Sequence, residues 1–214
     1  MSSRDDKLNE ISGYGPVRVS PVQLRSAKRV TLILDAAAEY VQEHGLETLT
    51  TAALTEGSRA SIGTIYRYFP DRLSMLQTLA GRNLQRAVEK LQNDISTAAP
   101  STLEEGLDVV FDCLVDLFRN EPGYRSLRVG DPLDLRPVTE ARMGNQHLAQ
   151  VMIDEFSEQL GTKFDAEARL ALQTGFDALD GLLARAFLHT PKGDRAYLTQ
   201  ARRIFRLIVI DGLS

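Results

Sequence analysis

SIGTIYRYFPDR, residues 61–72, puts Tyr66, Tyr68 and Phe69 within four positions, just after a glycine and just before a proline. The whole chain holds only six tyrosines and eight phenylalanines, so the cluster asks for a reason. A strand, a buried helix or an exposed binding surface would each supply one. The neighbouring residues discriminate between them.

With 214 residues the chain is long enough to bury a substantial core as one domain or two small ones. It has no apolar run of membrane-spanning length, and its first thirty residues lack the apolar core of an export signal, so a cytoplasmic location is expected. The single cysteine, Cys113 in FDCLVDLF, excludes an internal disulfide and reads as a small core residue. The formal net charge is -4, which by itself disfavours a phosphate-binding partner. That charge is unevenly spread. Residues 18–90 carry ten Lys/Arg against seven Asp/Glu, and residues 91–214 carry thirteen against nineteen. A basic front joined to an acidic remainder suits a DNA reader whose other part faces away from the duplex.

Residues 1–20 mix charges with Gly13, Gly15 and Pro16 and read as a flexible or partly ordered arm. Helical periodicity then begins: Ile33, Ala36, Ala37, Tyr40 and Val41 share one face, and His44-Gly45 ends it. Two short segments follow, one capped by the threonines at 50–51 and one starting at Ser61. After Pro70-Asp71 a long helix is expected to about Ile95, and another through Leu107, Phe111 and Phe118 to Glu121-Pro122-Gly123. Residues 124–137 are the least regular. Helix is expected again from Val138 to Leu160, from Asp165 to His189, and from Asp194 to about Gly212. No strand alternation or internal repeat is visible, so the fold class is all-α.

The final two helices carry apolar residues beyond one stripe, including Leu182, Ala186, Leu207 and Val209. Either a second copy of the hairpin covers them across a two-fold axis, or another helix of the same chain does. The candidate dimer surface is Leu179, Leu182, Leu183, Ala186, Phe205 and Ile208.

Enzymatic chemistry has little foothold. His44, His147 and His189 show no metal-ligand spacing, and the chain lacks GxSxG, Walker and GxGxxG motifs, so neither metal nor cofactor is expected. The acidic residues of the C-terminal part read as solvated helix faces.

The segment before Pro70 has instead the proportions of a helix-turn-helix: a long supporting helix, a short helix, a turn, and a second short helix. The start of the second short helix must be small to approach a base pair, and Ser61, Gly63 and Thr64 are small. Ile62 is expected outward and Ile65 inward. Thr64 offers a hydroxyl and a methyl, Tyr66, Arg67 and Tyr68 offer donors to phosphate, Phe69 anchors the helix, and Pro70 ends it.

LETLTTAALTEGSRASIGTIYRYFPDRLSML, residues 46–76, resembles the DNA-binding signature of the tetracycline-repressor (TetR) family, in which threonines, a short helix and Gly-Thr-Leu-Tyr-x-Tyr-Phe recur at this spacing. The resemblance covers roughly residues 24–76. It implies a homodimeric transcriptional regulator, usually a repressor, whose all-helical C-terminal domain binds a small inducer and dimerises through its last two helices. By position it implies that Thr51 binds phosphate and that Ser61, Ile62, Gly63 and Thr64 face the groove. Tyr66, Arg67 and Tyr68 would grip phosphate, Arg72 would replace the usual lysine, and Arg25, Lys28 and Arg29 would add backbone contacts.

The chain departs from the family pattern in three places. Thr55 stands for alanine, Ser58-Arg59-Ala60 stands for Ala-Gly-Val, and Ile62 occupies a position that is often basic. Gly57, two residues earlier, offers an alternative helix end, and Arg59 must either accept a strained positive φ or use a different turn.

The expected organisation is an arm (1–20), a three-helix DNA-binding domain (21–70) and a helical ligand-binding and dimerisation domain (71–214). Double-stranded operator DNA and a small-molecule effector are the expected partners, and the long helix from Asp71 is the expected hinge. Phe111, Phe118, Tyr124, Met143, His147 and Phe176 are candidate effector contacts, with Arg125 and Arg128 for an anionic group. The rival readings are a helical ligand-binding or interaction protein without gene control, and a helical enzyme.

Overall fold

The computed structural model describes residues 24–129 and 144–212. The described residues form eight α-helices and no strand. In order these are α1 (Leu24–His44), α2 (Thr51–Ser58), α3 (Ile62–Tyr68), α4 (Arg72–Ala98), α5 (Leu103–Asn120), α6 (Asn145–Leu160), α7 (Ala166–Phe187) and α8 (Arg195–Asp211). The N-terminal arm, Met143 and the part of the expected sixth helix before Gly144 lie outside the described residues.

Local chemistry explains where the helices begin. Thr50, Ser61, Thr102, Asp165 and Asp194 each stand one residue ahead of a helix in extended backbone, and each side chain accepts an otherwise orphaned N–H of the first turn. A reciprocal cap starts α4: Asp71 Oδ1 accepts from Ser74 N at 2.7 Å, and Asp71 N donates to Ser74 Oγ at 3.3 Å. None of the described helices is long and apolar enough to cross a membrane.

Contacts divide the chain within α4, between Gln85 and Arg86. Pro70 marks the end of the helix-turn-helix in sequence; the division inside α4 marks where the packing changes partners. The first unit comprises residues 24–85 with the returning turn Pro122–Leu127. Val30, Ile33, Leu34 and Ala37 of α1 close over Leu54, Ile65 and Phe69, with Met75, Leu76 and Leu79 of α4 completing the core. Arg82 Nη1 of α4 meets Asp35 Oδ1 of α1 at 2.7 Å. The returning turn lies so close to α1 that a Cβ on Gly123, at φ +74°, would stand 3.2 Å from the Cα of Ala38. Only glycine combines that backbone with that clearance.

The second unit contains Arg86–Glu121 and residues 128–129 and 144–212. Helices α7 and α8 make its most extensive packing. Phe118 stacks on Phe187 with ring centroids 5.2 Å apart, and Phe176 meets Phe205 edge-on at 5.6 Å. Gly106 in α5 leaves the space that the buried Phe156 ring of α6 occupies. Arg202 of α8 reaches α5, pairing with Asp108 at 3.0 Å and with Asp112, while its guanidinium lies 4.3 Å from the centre of the Phe111 ring. Cys113 is buried, and burial followed by the nearby Asp94 carboxylate pushes its thiol well above the ordinary range. It is therefore a packing residue rather than a nucleophile.

Candidate nucleic-acid interface

The turn between α2 and α3 is built without the usual glycine. Helix α2 runs to Ser58, and Arg59 takes the left-handed conformation at φ 53°, ψ 26°. Gly57 does not end the helix. Such backbone costs an L-residue about 1–2 kcal/mol, and the side chain of Ser58 helps to hold it. Buried Ser58 Oγ donates to Leu54 O at 2.5 Å and accepts from Ala60 N at 3.3 Å.

Ser61 then caps α3, accepting from Thr64 N at 3.2 Å, and its hydroxyl also meets Thr64 Oγ1 at 2.9 Å. From this start the helix divides cleanly. Ile65, Tyr68 and Phe69 turn into the core and are 0%, 2% and 0% exposed. Ile62 and Tyr66, one turn apart, are 49% and 43% exposed, and Gly63 and Arg67 are exposed beside them. Phe69 closes the helix, its N–H donating to Ile65 O at 2.8 Å.

Thr51 Oγ1 and Tyr66 OH are 3.1 Å apart, so the first residue of α2 and the middle of α3 are linked on the exposed side. Arg67 lies 5.1 Å from the centre of the Tyr68 ring, and its Nη2 is 3.4 Å from Tyr68 OH. The two tyrosines therefore differ. Tyr66 presents its ring to solvent, whereas Tyr68 is a core residue whose hydroxyl meets the exposed Arg67.

Arg72 also has work inside the unit. Its Nη2 donates to Leu46 O at 2.5 Å and lies 3.9 Å from Glu47, bracing the loop after α1 against the start of α4. Lys28 and Arg29 are exposed on α1, while the side chain of Arg25 lies outside the described residues. The sequence reading missed the Arg82–Asp35 tie and the Asp71–Ser74 cap. The second was visible as an Asp-x-x-Ser spacing ahead of an apolar run.

The residues expected to meet an effector fall in both units. Tyr124 is buried and Arg125 half-buried, and both belong with the first unit. Phe111, Phe118 and Phe176 are buried in the second unit. His147 is exposed on the first turn of α6. Arg128 Nε pairs with Asp180 at 3.3 Å. Burial raises the Asp180 pKa, and the positive charge of Arg128 opposes that rise. No group of three or more His, Cys, Asp and Glu side chains among the described residues is placed to hold a metal.

The dimer candidates likewise separate. Leu179, Leu183, Ala186 and Phe205 are buried within the chain, Leu182 and Ile208 are half-buried, and Leu207 is 57% exposed. A surface groove of about 570 Å³ runs along this side of α8, lined by Glu104, Thr199, Arg203, Arg206, Leu207 and Ile210 among others.

Comparison with known proteins agrees with this architecture. Residues 33–79 match the family described as bacterial regulatory proteins, tetR family, and residues 101–207, half of the chain, match the tetracyclin repressor-like C-terminal domain. A TetR-family transcriptional regulator from Streptomyces coelicolor superposes with a TM-score of 0.69 at 27% identity, over 86% of this chain and 98% of that one. The fatty acid degradation regulator FadR from Bacillus halodurans has the same fold, with a TM-score of 0.65 at 22% identity over 85% of this chain and 94% of its own. A fatty acid metabolism regulator protein from Bacillus subtilis (strain 168) is 24% identical over 177 residues, 79% of this chain and 89% of that protein. With a helix-turn-helix that buries Phe69 and exposes the Ile62–Arg67 face, and with both family domains in order, the chain belongs to the tetracycline-repressor family of DNA-binding transcriptional regulators.

Proposed function

We propose that the protein is a repressor that holds operator DNA as a homodimer in the cytoplasm and releases it when a small molecule binds the second unit. The exposed face of α3, held to α2 through Thr51 and Tyr66, is the observation that supports this reading. Thr51, Ser61, Ile62, Gly63, Thr64, Tyr66 and Arg67 form the proposed contact surface. Tyr68 and Arg72 support it from beneath. Two copies of α3 would enter successive major grooves about 34–36 Å apart.

The dimer surface in this proposal is the outer side of α7 and α8, centred on Leu207 with Ile204 and Ile208 of the same helix and including Leu182 of α7. An exposed leucine among half-buried isoleucines is apolar area that a second copy would remove from water. Leu207→Glu should shift the protein towards monomer in sedimentation velocity and weaken operator binding in parallel. A dimer of unchanged affinity would remove Leu207 from the interface.

The effector is proposed to bind in the second unit, where Phe111, Phe118 and Phe176 would have to part to admit it. Fatty acids and their metabolites are the first candidates, because two of the similar proteins are regulators of fatty acid degradation or metabolism. A ligand lowers DNA affinity only by as much as it prefers the DNA-incompetent conformation.

Selection of genomic fragments by the purified protein, with and without these compounds, tests the function directly. On the best fragment, Arg67→Ala should weaken binding across sequences and reduce the salt slope by about one. Tyr66→Phe, which removes only the hydroxyl that meets Thr51, should also weaken binding. Unchanged affinity and salt slope in both variants would place the reading head elsewhere.

A further inference from the structure

Ile62 is the anomaly of the reading helix. Ile65, three residues on, already fills the core position, so Ile62 contributes little to folding at 49% exposure. A β-branched residue is also a weaker helix former than alanine or the polar residues common at exposed helical positions. The fold therefore provides no reason for an isoleucine here, and a contact outside the chain does.

The surroundings narrow the chemistry of that contact. The polar groups nearest Ile62 are partly engaged: Ser61 Oγ accepts from Thr64 N and meets Thr64 Oγ1, which commits one of the two hydroxyl protons. Tyr66 OH is engaged with Thr51. Gly63 has no protein atom within 4 Å of where a Cβ would stand, so the backbone beside Ile62 lies open to close approach. Beside these hydroxyls the turn offers outward an aliphatic side chain next to bare backbone. In the major groove of DNA, the base-edge group complementary to an aliphatic side chain is the C5-methyl of thymine.

We propose that Ile62 reads a thymine 5-methyl group in each half-site, and that this apolar contact takes the place of the charged contact frequent at this position. The proposal rests on the DNA-binding reading of α3. It assigns Ile62 a part in sequence discrimination, beyond positioning on the phosphate backbone.

Replacing thymidine by deoxyuridine removes only the methyl group and leaves base pairing intact, so a scan of single dT→dU changes across the best-selected duplex tests it. One position per half-site should weaken binding of the natural protein about fourfold, the worth of roughly one buried methyl group. Ile62→Ala should bind the dT and dU duplexes equally at that position. Ile62→Val, which keeps a branched methyl, should retain part of the discrimination. A purely structural role for Ile62 would alter overall affinity without changing the dT/dU ratio. The proposal is overturned if no position is sensitive to the methyl group, or if Ile62→Ala keeps the same dT/dU ratio. If the natural protein selects no sequence over random DNA, the DNA-reading function fails first. That result is distinct from a selected duplex that shows no methyl dependence.

Discussion

Phe69→Ala is expected to destabilise the first unit by about 3–5 kcal/mol and to abolish operator binding. Phe69 is fully buried, ends α3 through its N–H to Ile65 O, and precedes the proline that breaks the chain before α4. Its ring occupies the same core as Val30, Ile33, Leu34, Leu54 and Ile65. Removing it opens a cavity in a core assembled from short helices, and α2 and α3, at eight and seven residues, cannot persist without tertiary packing. A loss of that size is comparable with the whole stability of a small domain. Urea denaturation followed by circular dichroism, combined with amide exchange, should show protection lost from α1–α3 and retained in α7 and α8. Phe69→Leu, which keeps most of the volume, should lose much less. A loss below about 1 kcal/mol for the alanine variant would mean that the ring is not the anchor.

Phe156→Ala should cost the second unit a similar amount, about 3–5 kcal/mol, and its coupling to Gly106 makes the result diagnostic. A Cβ on Gly106 would lie 2.2 Å from Phe156 Cζ, well inside contact distance, and the ring is fully buried. Alanine in place of a mid-helix glycine ordinarily gains about 1 kcal/mol. Here the forced displacement of a packed ring should outweigh that gain, giving a net loss of about 1–3 kcal/mol for Gly106→Ala. With the ring removed, the same substitution should become neutral or stabilising, because the methyl enters the cavity and the helix gain is realised. The double variant should therefore be more stable than the sum of the single effects indicates. Simple additivity in thermal denaturation would show that the two residues do not share this space.

Much of the architecture was legible because its signals are local. Thr50, Ser61, Asp165 and Asp194 could be recognised as helix starts, and Pro70, Pro122 and Gly161 as breaks, since a cap or breaker acts on groups within a few residues. That Arg59 needed either a positive φ or a different turn was legible for the same reason, and the structure has the positive φ. The fate of Tyr66 and Tyr68 was less accessible. Residues two apart on a helix face nearly opposite ways, so one of them had to be buried, but a seven-residue helix carries too little periodicity to say which. The docked register of α3 made Tyr68 a core residue and left Tyr66 beside Thr51.

The composition and order of residues by themselves determined an all-helical chain, the place of the helix-turn-helix and the family to which it belongs. Each rests on backbone preferences and short-range spacing. Only the tertiary structure decided that Arg72 braces Leu46, that Arg82 holds Asp35 and that Gly106 accommodates Phe156. It also showed that Leu179, Leu183, Ala186 and Phe205 are consumed within the chain while Leu207 stays exposed. The physical reason is the same in each case. A charge or an apolar stripe specifies that it needs a partner, but partners tens of residues away are chosen by how helices pack.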